Sequence, residues 1–157
     1  MDPVKPLRPP EVGSYVLGQV SAVVSPTCFY LVFPYGRRSI QRLSMDGVGR
    51  NARKMSETLT RGLQAACDRD RFHENRRVVK AAGEVVAAKS SNDGRWYRAL
   101  VVSLEERGMV RVFYVDFGFC ESLPISQVKT LEDRFARFPQ QALQACLVTD
   151  KDNNRLG

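Results

Sequence analysis

The chain is 157 residues long, with 43% apolar residues and a formal net charge of +7. A chain of that size and apolar content can bury a core, which excludes wholesale disorder, and no apolar run approaches the roughly 20 residues of a membrane helix. Residues 1–79 carry 13 Lys/Arg against 7 Asp/Glu and residues 80–157 carry 11 against 10, so the basic character belongs to the first half, where it suits an acidic partner or RNA.

Met1-Asp2-Pro3-Val4-Lys5-Pro6 has no apolar signal core, which points to a soluble intracellular protein or an excised fragment of one. Pro3, Pro6, Pro9 and Pro10 make residues 1–15 a stiff, exposed lead-in with no core of its own. Val16–Val24 is β-rich, Ser25-Pro26-Thr27 turns the chain, and Cys28–Phe33 resumes, so a β-hairpin is expected over 16–33. Residues 36–50 are Arg- and Gly-rich and irregular. From Ala52 to about Arg71 the period changes. Met55, Leu59, Leu63 and Ala66 recur at helical spacing, which predicts an amphipathic connector helix despite Gly62. Residues 72–80 are a polar, basic linker.

The second half is a series of short strands: Glu84–Ala88, Arg95–Leu104, Met109–Val115 and Phe119–Leu123. Asp93-Gly94, Arg107-Gly108 and Asp116-Phe117-Gly118 supply the reversals. Strands this short with tight turns suggest a small barrel, whose closure removes exposed edges. Ile125–Lys129 and Glu132–Phe138 read as single helical turns, and Gln144–Val148 as one more strand.

Four cysteines, Cys28, Cys67, Cys120 and Cys146, contain no Cys-x-x-Cys pair, and His73 is the only histidine. Neither a zinc site nor a disulfide framework is expected, since free cysteines serve well as small buried apolar residues. No Ser-His-Asp or Cys-His arrangement forms around one linker histidine. Asp68 and Asp70 do not share a helix face, so a nuclease-like carboxylate cluster on a metal is not expected either.

Three segments carry the functional signal: Asp93-Gly94-Arg95-Trp96-Tyr97-Arg98-Ala99, Val112-Phe113-Tyr114-Val115-Asp116-Phe117-Gly118, and Phe138-Pro139-Gln140-Gln141-Ala142. Together they resemble the extended Tudor domain, found in germline Tudor scaffolds of the Piwi-interacting RNA pathway and in a Tudor-containing staphylococcal-nuclease-like coactivator. Val20–Leu31 is similar to that family's opening hairpin, and the resemblance covers about residues 16–148. It implies a mainly β fold: a small antiparallel Tudor barrel, a connector helix, and a partial staphylococcal-nuclease-like lobe of oligonucleotide-binding type. The division is then 1–15 lead-in, 16–80 first part of the lobe plus linker helix, 81–138 Tudor barrel, and 139–157 start of the second part of the lobe.

In that family aromatic side chains cage a methylated arginine, whose flat cation is drawn to ring faces. By position the resemblance carries Tyr97, Tyr114 and Phe117 into the cage. On β-strand alternation, Tyr97 shares a face with Ala99 and Val101, while Trp96 shares the other with Leu100 and Val102 and is expected to be core. The same three aromatics would also serve as plain barrel core. Ser91 stands where the family has a fourth aromatic, and Phe119 where it has the asparagine that orients the guanidinium, so the cage is atypical. Phe119 either fills the space of the missing wall or anchors a partner. Asp116 either contacts a ligand or caps the turn over 116–118. The resulting expectation is a non-catalytic scaffold without cofactor or metal. It binds an arginine-rich peptide, methylated or not, of a Piwi-type Argonaute or another germ-granule protein, in cytoplasmic, perinuclear granules. RNA bound by the basic first half is the alternative partner.

Overall fold

A computed structural model of the chain describes residues 4–33, 57–69, 79 and 81–148. Strands β1 (Gln19–Ser25) and β2 (Cys28–Val32) form an antiparallel hairpin. The backbone N–H groups of Thr27 and Cys28 both donate to the Ser25 hydroxyl, which holds the two-residue turn. The helical segment runs as a π-turn over Thr58–Gly62 and as helix α1 over Leu63–Arg69, so the expected connector helix is present across its described part. Met55 and residues 36–50 and 72–78 lie outside the described residues.

Five strands make the second sheet: β3 (Val85–Lys89), β4 (Trp96–Leu104), β5 (Met109–Tyr114), β6 (Cys120–Pro124) and β7 (Val128–Thr130), in the order β6-β5-β4-β3-β7. The sheet edges, β6 and β7, are consecutive in sequence and joined by one 3-10 turn, Ile125–Gln127. Linking the outermost strands by so short a turn forces the sheet to curl on itself. The 125–129 segment is therefore half turn and half strand, where the sequence suggested a helical turn alone. Val128 pairs with Ala88 and buries its side chain in the barrel, a role that three residues are too few to announce by alternation. Helix α2 (Asp133–Ala136) follows, and β8 (Leu143–Cys146) returns to pair with β2, giving a separate sheet β1-β2-β8.

Two apolar clusters hold the barrel. The interior contains Val86, Ala88, Ala99, Val101, Val110, Val112, Tyr114, Leu123 and Val128. The second lies between the outer face and the helices: Leu63, Ala66 and Cys67 of α1 and Phe135 of α2 pack on Val85, Ala87, Trp96 and Leu131. Strand β3 is covered on both faces, which is why Val85–Ala88 is apolar without alternation. On β4 the faces divide as the sequence implied, Ala99 and Val101 inward and Trp96 outward against α1. The Gln64 side chain fixes α1 to β4 by accepting from the Trp96 N–H (2.8 Å) and donating to its carbonyl (2.6 Å).

The lead-in is not the free arm its prolines suggested. Leu7 is buried, Val4 packs against the helix-side cluster, and the Gln140 N–H donates to the Lys5 carbonyl (2.8 Å). Prolines rule out helix and ladder but leave the side chains between them able to dock.

Candidate functional site

The three sequence motifs meet at one buried ion pair. Arg98 of β4 is 1% exposed. Its Nε and Nη2 donate to the two carboxylate oxygens of Asp116 (2.8 and 2.6 Å), and its remaining donors reach the carbonyls of Phe135, Phe138 and Pro139 (3.0, 2.6 and 2.9 Å). The Gln141 N–H also donates to Asp116 (3.0 Å). A guanidinium that fills all its donors in this way is an anchor, held by charge-assisted bonds in a dry setting. Asp116 is therefore taken up inside the molecule. It does not cap its own turn either, because the Phe117 and Gly118 N–H groups donate to the Tyr114 carbonyl. Arg98 was not among the expected site residues, although it belongs to the first motif and is a charged residue on the same face of β4 as Trp96.

This pair fixes the loop from β5 to β6, and that loop sets Phe117 and Phe119 against Tyr97 of β4 and Tyr114 of β5. Tyr97, Tyr114, Phe117 and Phe119 form one contiguous group. Tyr97 and Phe117 meet edge to face with ring centres 5.0 Å apart, and Tyr97 meets Tyr114 at 6.1 Å. Phe119 tilts against Tyr114 at 4.8 Å and against Phe117 at 6.4 Å. Tyr97, Phe117 and Phe119 are half-buried, whereas Tyr114 is fully buried and doubles as barrel core. The structure thus brings the four aromatic positions together.

Two carboxylates border the group. The Tyr97 hydroxyl donates to Asp93, and the Tyr114 hydroxyl donates to Glu121 (2.7 Å). Ser91, by its N–H (3.1 Å) and its hydroxyl, also donates to Glu121. Burial, then the bond to Asp93, pushes the Tyr97 phenol up to about 12. Burial, then the bond to Glu121, pushes Tyr114 up as well. Both phenols therefore stay protonated, donating to the acids. Neither Asp93 nor Glu121 was among the expected site residues, although Asp93 belongs to the reversal that precedes β4.

The loop is backed by the other sheet. The Ser21 hydroxyl donates to the Phe117 carbonyl (2.6 Å), the Ala142 N–H donates to the Val115 carbonyl (3.2 Å), and the Tyr30 ring lies against Phe113 (5.6 Å) and over Gly118. Among the described residues no three His, Cys, Asp or Glu side chains gather as metal ligands, and no helix is long and apolar enough to cross a membrane.

A Tudor domain family model matches residues 11–149, nearly the whole chain. The chain belongs to the Tudor family. Among solved structures, this Tudor chain is similar to a human TDRD1 extended Tudor domain in complex with a symmetrically dimethylated peptide, with a TM-score of 0.68 and 26% identity over 90% of this chain and 61% of that one. It is also similar to extended Tudor domain TD3 of mouse TDRD1 in complex with a MILI peptide containing dimethylarginine, with a TM-score of 0.65 and 26% identity over 95% of this chain and 74% of that one. Among curated relatives, Tudor domain-containing protein 1 of Oryzias latipes is 28% identical over 82% of this chain, which spans 10% of that protein. The human Tudor and KH domain-containing protein is 35% identical over 41% of this chain, or 12% of its own length. The mainly β architecture read from the motifs is that of these extended Tudor domains.

Proposed function

We propose that this Tudor chain is a non-catalytic peptide-binding module that receives an arginine-bearing segment at the Tyr97–Tyr114–Phe117–Phe119 group. The observation that carries the reading is the union of these aromatics, from β4, β5 and the loop after β5, with Asp93 and Glu121 beside a buried ion pair. Ring faces attract a guanidinium, and bordering carboxylates supply the acceptors that Phe119 does not. The peptide complexes formed by the similar TDRD1 domains support the same ligand class. The cage is atypical, because Ser91 stands where the family has a fourth aromatic and Phe119 where it has the orienting asparagine. Ser91 and Asp116 sit beside and beneath the site, Ser91 bonded to Glu121 and Asp116 to Arg98. From the family resemblance follows the wider role: a scaffold in germ-granule assembly, located in perinuclear cytoplasmic granules, with the tail of a Piwi-type Argonaute as partner.

Calorimetric titration of matched arginine peptides tests this. Both the unmethylated and the symmetrically dimethylated forms should bind, the latter less than about fivefold more tightly, roughly 1 kcal/mol. Tyr97→Ala should weaken both by about tenfold, and Ser91→Phe with Phe119→Asn should raise the methyl preference. Binding of neither peptide refutes the module, and a large methyl preference in the unaltered chain refutes the incomplete cage. The basic first half favours a second reading, RNA binding. A steep fall of RNA affinity with salt, without peptide binding, would establish that one instead.

A further inference from the structure

Three of the four cysteines are not the buried apolar fillers that their spacing suggested; only Cys67 is buried, while Cys28 is half-buried and Cys146 and Cys120 are exposed. Cys28 and Cys146 are 118 residues apart in sequence and directly opposed across β2 and β8. The type of opposition follows from the ladder. The Leu147 N–H donates to the Thr27 carbonyl (2.7 Å), a bond between the residue after Cys146 and the residue before Cys28. In an antiparallel pair that bond brackets a non-hydrogen-bonded position, where Cα atoms lie about 4.5 Å apart and side chains approach most closely. This falls within the span a disulfide bridges without backbone movement, roughly 4.4–6.8 Å. The Cys146 Sγ indeed donates to the Cys28 Sγ at 3.2 Å, and Gln144, on the same face of β8, donates to Cys28 from its Nε2 at 3.2 Å.

We infer that Cys28 and Cys146 are a reversible dithiol–disulfide pair that staples β8 to β2. The oxidant is a small-molecule disulfide of the glutathione class. The exposed Cys146 loses its proton to solvent and attacks one sulfur of glutathione disulfide, forming a mixed disulfide and expelling one glutathione thiolate. Cys28, deprotonated in turn, attacks the Cys146 sulfur and expels the second glutathione. Two protein thiols are oxidised by two electrons, and one glutathione disulfide becomes two glutathiones. The staple ties together the two strands that brace the aromatic loop, since β2 carries Tyr30 against Gly118 and the segment entering β8 bonds Val115 and Asp116. Closing a loop of this length restricts the unfolded chain strongly.

The test is equilibration of the folded chain with excess oxidised glutathione, followed by alkylation, intact mass measurement and peptide mapping. The expected result is loss of two hydrogens with a linked Cys28–Cys146 peptide, reversal by reduced glutathione, and a rise in the thermal midpoint of about 5 °C or more. Cys120→Ser should keep all three, and Cys146→Ser should lose them while folding normally in its reduced form. Cys28 and Cys146 both remaining alkylatable, a persistent glutathione adduct at Cys146, or a linked peptide containing Cys67 or Cys120 would each overturn the inference. None of these readouts depends on peptide binding.

Discussion

At the scale of single residues, the Tudor site is decided by partners that the motif does not name. Asp116 has the look of a ligand contact, yet both its oxygens are taken by Arg98 and Gln141. Asp116→Ala would leave a buried guanidinium without its countercharge, which typically costs about 3–5 kcal/mol. The expected outcome is a lowered urea midpoint together with loss of peptide binding, because the same pair positions the loop carrying Phe117. Tyr97 yields a pH prediction. Its folded phenol titrates near 12, above the ordinary 10.0, so the folded state holds a proton that the unfolded state releases first. The contribution is complete below pH 10 and is lost as pH rises towards 12. Tyr97→Phe should flatten that fall in a pH series of urea unfolding.

At the scale of elements, the loop between β5 and β6 depends on Gly118. Its φ of +93° is costly for any residue with a Cβ, and an added Cβ would overlap the Tyr30 ring. Gly118→Ala should destabilise the chain by about 2 kcal/mol or more. Adding Tyr30→Ala should recover only part of this in thermal unfolding, since it removes the overlap and leaves the backbone strain. The helix shows the reverse case. Gly62 weakens a helix on propensity alone, but here it lies in the π-turn, and the Phe135 ring packs 3.5 Å from where its Cβ would stand. A Cβ there would make ordinary contact with that ring, so nothing in the packing requires glycine at this position.

At the scale of the whole molecule, the two sheets and the lead-in are bound by a few non-local contacts. Leu7 is one of them, 8% exposed in a segment otherwise polar and proline-rich. Leu7→Ala should cost about 2–3 kcal/mol, as for other buried leucines, measured by urea unfolding. A cost near zero would mean that the lead-in is not docked in solution.

The sequence by itself determined what local chemistry determines. Asp93-Gly94 places a reversal because glycine accepts the left-handed backbone and the Asp93 carboxylate receives the Arg95 N–H. The alternation on β4 separates Ala99 and Val101 from Trp96 because strand side chains point to opposite faces, and the ordered motifs identify the Tudor barrel. Tertiary structure decided the rest. The contiguous aromatic group, the burial of Arg98 by carbonyls within and just after α2, the docking of Leu7 and the apposition of Cys28 with Cys146 all join residues distant in the chain. Such contacts depend on strand register and on how two sheets abut, and neither leaves a periodic trace in the sequence.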